Sequence, residues 1–241
     1  MNLIIDIGNS AAKVAAFEGE QLVEVIHTSN ETLADLPTFC AKYPFERGLW
    51  ATVVDLPDET IRLLESLPFP MRSFTHAMRL PIVIGYETPH TLGVDRLAAV
   101  VGAQYERPGR DLLVVDAGSC VTYEFLDANG CYHGGNISPG LEMRLKAMNV
   151  FTSRLPLVSV EGELLEIGKT TETALRAGAF WGLQREIEGY IQSLKHKYPQ
   201  LLVFLTGGSQ FSFDTKIKNI IFADKFLVLK GLNRILQYNN E

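Results

Sequence analysis

Short apolar runs separated by turn residues predict a mixed α/β protein with two similar halves. In the first half, the apolar positions either run together or alternate between glycine-containing turns, which is typical of strands. The predicted strands are residues 2–7, 11–17, 21–28, 47–54 and 81–84. Helical spacing predicts helices over residues 30–43, after Pro57 and from Leu97 onward.

The second half repeats this alternation of strands and helices. A hairpin is predicted from Leu112 to Tyr132, and strands follow at 201–205 and 222–227. Helices are predicted at 141–148, after Thr170–Thr171 and at 231–238. Ala174, Ala177 and Gly178 are assigned to the buried side of the long helix, and residues 150–168 to a weakly patterned surface segment.

Two strand-ending Asp-x-Gly sequences stand 110 positions apart, at Asp6 and Asp116. The same shift aligns Leu3 with Leu113, Gly8 with Gly118 and Asn9 with Ser119. This predicts a duplicated half-domain, with halves at 1–109 and 110–241 and the C-terminal helix packing back on the first half. A cleft with one aspartate and one backbone turn from each half suits a metal-bound polyphosphate.

Composition narrows the functional class. A hydrophobic content of 46% with 21% charged residues predicts a folded soluble protein, and a net charge of −6 gives no footprint for nucleic acid. The three cysteines lack CxxC spacing, which argues against disulfides and a zinc site. The first residues lack the basic region of a signal peptide, and no apolar run approaches about 20 residues, so we expect a cytoplasmic protein without membrane contact.

Several glycine-containing turns are candidates for phosphate binding. Residues 8–10 predict a turn whose amides could cradle phosphate oxygens, although Asn and Ser are also common in ordinary turns. Lys13 fits either a phosphate contact or a solvated hairpin position. Residues 133–140 could form an anion-binding loop before a helix, or only a tight connection. The turn Thr206–Ser209 could allow close approach of an adenine, or it could be an ordinary turn. Gly168-Lys169-Thr170 lacks the upstream glycine of a Walker A loop.

An acidic and a basic residue are adjacent in Gly93-Val94-Asp95-Arg96, at a predicted helix start. Asp95 fits a favourable N-terminal helix charge, or a general base with Arg96 holding an anion beside it. The spacing alone does not decide between them.

Five motifs in order resemble those of the type III pantothenate kinases: DIGNS at 6–10, GVDR at 93–96, DAGSCVT at 116–122, GGNISPG at 134–140 and TGG at 206–208. This family belongs to the superfamily of actin, Hsp70 and sugar kinases. The resemblance implies duplicated ribonuclease-H-like halves, a homodimer, and phosphorylation of pantothenate by ATP in the first step of coenzyme A synthesis. It also implies Mg²⁺ and a monovalent cation, K⁺ or NH₄⁺. Ser10 and Ser119 replace the threonine of many members and keep its hydroxyl; Cys120 is a less usual neighbour.

The resemblance also assigns site residues. It implies that Asp95 takes the proton of the substrate hydroxyl, that Asp116 binds the monovalent cation, and that Asp6 is linked to Mg²⁺ indirectly. The implied ATP contacts are Asp6, Ile7, Gly8, Asn9, Ser10, Ala11, Ala12, Lys13 and Ser119. The implied pantothenate contacts are Tyr86, Gly93, Val94, Asp95, Arg96 and Thr171, the last from the partner chain.

Alternatives to these assignments remain open from the sequence. Within the same fold, an ATPase or a sugar kinase is possible, and GVDR with GGNISPG argues against both. A regulatory nucleotide binder would need neither Asp95 nor Tyr86, and both are present. Thr170 or Thr171 could cap the long helix, and Thr171 could act only in this way.

Overall fold

The computed structural model describes residues 1–208 and 220–240, which fall into two compact units. Unit 1 comprises residues 1–110, 126–134 and 226–241, and unit 2 comprises residues 111–125 and 135–225. The first division between the units comes one residue after the predicted boundary between the halves. Unit 1 also includes the tip of the second hairpin and the C-terminal helix. Ser209 of the Thr206–Ser209 turn lies outside the described residues.

Unit 1 is built on a five-stranded sheet. Its strands are β1 (Asn2–Ile7), β2 (Ala12–Glu18), β3 (Gln21–Thr28), β4 (Arg47–Thr52) and β5 (Met71–Ser73). Their order is β3-β2-β1-β4-β5, with antiparallel pairs on the β3 side of β1 and parallel pairs on the β5 side. The central strand β1 reads as a continuous apolar run because almost every residue in it is buried.

Helices cover this sheet. They are α1 (Leu36–Cys40), α2 (Asp58–Glu65), α3 (Val94–Glu106) and the C-terminal helix α6 (Leu227–Tyr238). Leu36, Phe39 and Leu64 of α1 and α2 pack on buried side chains of β1 and β2. Helices α3 and α6 meet at two glycines: a Cβ on Gly231 would lie 1.8 Å from the Ala98 carbonyl oxygen, and one on Gly102 would lie 2.4 Å from the Leu227 carbonyl oxygen. Only glycine permits this approach.

The second sheet has six strands. They are β6 (Val83–Ile84), β7 (Leu112–Ala117), β8 (Cys120–Leu126), β9 (Cys131–Pro139), β10 (Leu202–Gly207) and β11 (Ile221–Ala223). Their order is β11-β10-β7-β8-β9-β6. In the described part of unit 2, the helices are α4 (Leu141–Val150) and α5 (Thr171–Lys197). Buried residues of α5, including Leu183 and Ile187, pack on apolar side chains of β7, β8 and β10.

The two sheets share one strand order. Apart from β6, the first strand of each sheet in the chain, β1 or β7, is central; the next two strands lie on one side of it, and the following two lie on the other. Strand β6 is an addition at the edge beside β9. The duplication predicted from the spaced Asp-x-Gly sequences is therefore confirmed at the level of topology, as is the α/β class.

Three predicted elements were wrong in extent. The helix predicted at 30–43 is limited to α1, because residues 29–33 form a turn in which the Ser29 hydroxyl accepts from two backbone amides and Leu33 has φ 47°. The strand predicted at 222–227 ends at Ala223, and α6 begins at Leu227, because a short apolar run fits a strand or a buried helix equally.

The loop predicted at residues 133–140 is also wrong, because β9 continues to Pro139. A Cβ on Gly135 would lie 2.0 Å from the Tyr123 carbonyl oxygen, so this glycine allows close pairing of strands. Pro139 ends the strand, where a missing backbone donor is tolerated.

Among the described residues, no helix has the length and apolar character needed to cross a membrane.

Candidate active site

Asp6 stands near the end of β1 and is paired in register with Lys13 of β2. Burial raises the pKa of Asp6 to about 6; the charge of Lys13 acts in the lowering direction, and the negative charge of Asp95 raises it further. Two predicted site carboxylates of unit 1 therefore lie close enough to interact, although 89 positions separate them. A carboxylate whose pKa is raised by a neighbouring negative charge favours a cation in its vicinity.

The turn between β1 and β2 is held in place by Asn30. The Gly8 amide donates to the Ala11 carbonyl at 3.1 Å, which closes the turn. The Asn30 side-chain amide donates to the carbonyls of Gly8 and Asn9, both at 3.0 Å. Asn9 and Ser10 are exposed at the tip. Sequence reasoning placed Asn30 only at the start of a predicted helix and missed this role.

Asp95 lies in the first turn of α3, whose N-cap is Gly93. An Asp95 carboxylate oxygen accepts from the backbone amide of Arg96 at 2.9 Å. A Cβ on Gly93 would lie 2.4 Å from this oxygen, so the glycine leaves room for the carboxylate. Asp95 therefore has the geometry of a helix N-terminal charge and is also near Asp6.

Arg96 belongs to a cluster with two tyrosines in unit 1. Its side chain is 7% exposed, its Nη2 donates to the Tyr132 hydroxyl at 3.2 Å, and its guanidinium lies 5.9 Å from the Tyr86 ring centre. The rings of Tyr86 and Tyr132 are 6.2 Å apart. Tyr132 was not predicted as a site residue, and only its place in the alternation of β9 hinted at an inward side chain.

In unit 2, three motif glycines meet at the turn between β7 and β8. Asp116 is the penultimate residue of β7, which leads into this turn, and it is paired in register with Thr206 of β10. A Cβ on Gly140 would lie 2.3 Å from the Gly118 carbonyl oxygen, and one on Gly207, whose φ is +96°, would lie 2.4 Å from the Ala117 carbonyl oxygen. The sequences DAGSCVT, GGNISPG and TGG are therefore parts of one packed turn.

A polar network fixes the end of β9 to the helices of unit 2. Arg144 donates to the Pro139 carbonyl at 2.8 Å, to the Ser138 hydroxyl at 2.7 Å and to Glu186 at 2.5 Å. Glu186 also accepts from the Tyr123 hydroxyl at 2.7 Å. Burial acts to raise the pKa of Glu186, but hydrogen bonds from Ser138, Arg144 and Tyr123 lower it on balance, so this carboxylate is held in its charged form.

Thr170 is the N-cap of α5, and Thr171 is the first helical residue. The Thr170 hydroxyl accepts from the Thr173 amide at 3.2 Å, and the Thr173 hydroxyl accepts from the Thr170 amide at 2.9 Å. The reading of Thr171 as the cap is therefore wrong. Thr171 is exposed, and so are Ala174 and Gly178, which were assigned to the buried side of the helix; Ala177 is buried.

Comparisons with known proteins agree with the motifs. The model of the type III pantothenate kinase family matches residues 2–193. The chain is 58% identical over 241 residues to a type III pantothenate kinase of Phocaeicola vulgatus, with 100% of each chain covered. It is 59% identical over 240 residues to that of Bacteroides fragilis, covering 100% of this chain and 99% of the relative. This chain belongs to the type III pantothenate kinase family. It is therefore a kinase, for which ATP and a divalent metal are implied.

Solved structures support the fold. A conserved Campylobacter jejuni protein assigned to the Baf family of transcriptional activators is 22% identical, with a TM-score of 0.60 and coverage of 99% of this chain and 98% of the other. A candidate N-acetylmannosamine kinase of Listeria monocytogenes is 13% identical, with a TM-score of 0.60 and coverage of 100% and 99%. At these identities the likeness concerns the fold alone. It confirms the predicted ribonuclease-H-like, actin-like class.

Proposed function

We propose that the chain transfers the γ-phosphoryl group of ATP to the hydroxyl of pantothenate, giving 4'-phosphopantothenate in the first step of coenzyme A biosynthesis. Membership of the type III pantothenate kinase family supports this substrate. The observation that carries the proposal is the position of the Asp95 carboxylate in the first turn of α3, where Gly93 leaves space for it beside the buried Arg96.

In this proposal Asp95 orients the substrate hydroxyl and accepts its proton. Phosphoryl transfer needs mainly positioning and neutralisation of charge, so a carboxylate that accepts a proton late in the transfer is sufficient. Gly93 keeps the space in which the carboxylate stands. Arg96 and Tyr86 would bind pantothenate, with the guanidinium facing its carboxylate.

Asp6 and the turn after it would hold the phosphates. The raised pKa of Asp6 fits a site that receives a cation, and Mg²⁺ bound to ATP would supply that charge through water. The exposed Asn9 and Ser10, in a turn fixed by Asn30, offer a backbone surface for phosphate oxygens, and Lys13 offers a compensating charge.

The test is ATP turnover measured with and without pantothenate. We expect turnover only when pantothenate is added, and a loss of at least ~10²-fold in the Asp95→Asn variant, because a base and positioning group is removed. Nucleotide binding and thermal unfolding are measured on the same protein, and both should stay close to wild type. Turnover without pantothenate would indicate an ATPase, turnover only with a sugar would indicate a sugar kinase, and binding without turnover would indicate a regulator.

We also propose that Asp116 binds K⁺ or NH₄⁺. It lies near the end of β7 beside the packed turn, and Ser119 in the same turn would contact ATP. A carboxylate at the end of a strand can serve as an oxygen ligand for a cation close to a nucleotide. Activity should be higher in K⁺ or NH₄⁺ than in Na⁺, and Asp116→Ala should remove most activity together with this difference. Equal rates of the wild type in all three salts would contradict the assignment.

Finally, we propose a homodimer in which Thr171 contacts the substrate of the partner chain. The Thr171 hydroxyl is exposed and is not the helix cap, and the exposed Ala174 and Gly178 leave a small face on α5. Exposed apolar side chains in unit 2, among them Phe151 at 85% and Ile167 at 80%, also favour association.

Mixing two inactive variants tests the shared site. Asp95→Asn and Thr171→Phe should each inactivate the homodimer, whereas a hybrid has one site with both residues intact. Activity should return towards half of the wild-type value per hybrid. Verified hybrids that stay inactive would place the site within one chain.

A further inference from the structure

Three different metal-ligand groups meet at the turn between β8 and β9 in unit 1. A carboxylate oxygen of Asp127, the sulfur of Cys131 and a ring nitrogen of His133 all lie within 4.8 Å of one another. The first two residues are half-buried and His133 is exposed. None of the three has a role in the kinase site proposed above.

The backbone of the turn brings these groups together. Residues 131 and 133 are two apart on a strand, so their side chains point to the same face. Asp127 is folded back onto this face, because its amide donates to the Cys131 carbonyl at 3.0 Å and its carbonyl accepts from the Gly130 amide at 2.9 Å. Gly130 has φ +79°, which closes the turn. The arrangement is therefore a property of the hairpin.

Hydrogen bonds fix the orientation of the Asp127 carboxylate. Its Oδ1 accepts from the backbone amides of Asn129 at 2.9 Å and Cys131 at 3.0 Å. Its Oδ2 lies 2.8 Å from Nε2 of His133. Metal-binding carboxylates commonly have one oxygen fixed by such outer hydrogen bonds while the other binds the metal.

We propose that Asp127, Cys131 and His133 form a Zn²⁺ site with water as its fourth ligand. The spacing of the cysteines argued against a zinc site, but that argument concerns sites with paired cysteines, and this cluster has one thiolate. Thiolate, imidazole and carboxylate are the ligands that Zn²⁺ takes, and three protein ligands with one open position is an established zinc arrangement. Bonds of about 2.0–2.3 Å in a tetrahedron place neighbouring ligand atoms about 3.3–3.6 Å apart, so shifts of around 1 Å complete the site. The ion takes the position between His133 and Asp127 that their hydrogen bond now occupies, and it displaces the thiol proton of Cys131.

The proposed Zn²⁺ site and the Arg96 cluster lie on opposite faces of β9. Tyr132 stands between the two ligands on β9 and is fully buried on the opposite face, where its hydroxyl accepts from Arg96. Its carbonyl accepts from the Gly85 amide at 2.8 Å, next to Tyr86. A metal bound to Cys131 and His133 therefore restrains the strand that supports the two side chains proposed to bind pantothenate. Only this consequence rests on the proposed function.

The full chain, stripped of metal with a chelator under reducing conditions, tests the site directly. Zn²⁺ alone is titrated against a chromogenic competitor, and Co²⁺ is then bound to detect the near-ultraviolet band of a cobalt–thiolate bond. We expect one ion per chain and the thiolate band. Cys131→Ser and His133→Ala should each weaken binding by at least about tenfold, which is the lower end of what loss of even an outer contact costs. Cys131→Ser should also remove the band.

Cys40→Ser is the matched control, because Cys40 is half-buried in unit 1 and lies outside the cluster; it should bind Zn²⁺ like the wild type. Unchanged affinity in folded Cys131→Ser and His133→Ala proteins, or no stoichiometric binding by the wild type, would overturn the proposal. Pantothenate-dependent turnover is measured separately. Its absence together with intact Zn²⁺ binding would count against the proposed function only.

Discussion

Replacing Gly93 by alanine tests whether the position of the Asp95 carboxylate matters for catalysis. The added Cβ would lie 2.4 Å from Oδ1 of Asp95 and 3.4 Å from Cδ of Arg96. Gly93 has φ −58° and ψ 131°, which alanine adopts without strain. The substitution therefore acts through this one contact and leaves the backbone unstrained.

The size of the effect follows from the overlap. Cβ atoms essentially never lie closer than 3.0 Å to other heavy atoms. The distance between the added Cβ and Oδ1 of Asp95 must therefore increase from 2.4 Å by about 0.6 Å or more. The carboxylate also gives up its 2.9 Å hydrogen bond from the Arg96 amide. Because a misplacement of about 1 Å can cost ~10²-fold in rate, we expect kcat to fall about 10- to 100-fold. The side chain can rotate away, so stability should change by no more than about 1 kcal/mol.

Initial rates at saturating ATP and pantothenate, with thermal unfolding of the same preparations, provide the measurement. Gly189→Ala is the matched control, since nothing lies within 4 Å of the added Cβ; its rate should equal that of the wild type. A Gly93→Ala enzyme with normal kcat would refute the argument that this carboxylate needs the space. A large loss of stability would instead show that the contact serves the helix.

Three further predictions concern single contacts. Asn30→Ala removes two hydrogen bonds of the first turn, each worth about 0.5–1.5 kcal/mol, so the KM for ATP should rise about tenfold; an unchanged KM would contradict the role of Asn30. The pKa of Asp6 in the folded state is raised from 3.8 to about 6. The stability associated with protonated Asp6 is therefore present at low pH and is lost as pH rises from 3.8 to about 6. Asp6→Asn should therefore gain on the order of 3 kcal/mol in unfolding free energy at pH 8 and much less at pH 4, while losing activity; equal gains at both pH values would exclude this cause. Gly231→Ala forces α6 away from the Ala98 carbonyl and should cost at least about 1–3 kcal/mol, lowering the melting temperature by several degrees, unlike the exposed Gly189→Ala.

The sheet was predictable where local pattern and burial agree. Strand β1 is a buried apolar run ending near Asp6, and β7 repeats it, so strand, turn and duplication follow from residue order alone. The turn at Ser29–Leu33 was not predictable, because side-chain hydrogen bonds and one left-handed residue override an apolar spacing that suits a helix. Gly135 suggested a loop because nothing in the sequence shows that a carbonyl oxygen stands where its side chain would be.

The candidate site was predictable as motifs but not as contacts. Asp6 and Asp95 were each singled out, yet only folding shows that one changes the pKa of the other. Asn30 illustrates what the hairpin register adds: Thr28 pairs with Ala12, which brings the residue two positions later beside the Gly8–Asn9 turn. Tyr132 was missed because its partner Arg96 is distant in sequence and no motif links the two.

The order in which the chain is synthesised gives the contact of α6 with α3 a further meaning. Unit 1 begins with the first residues made, yet α6 is made after all of unit 2. Domains made first can usually fold while the ribosome still works. Here the buried face of α3 has to wait for Gly231 and its neighbours, so a nascent chain exposes that apolar surface until these residues have left the ribosome. We expect that chaperones which shield apolar helix faces would bind the chain during this interval.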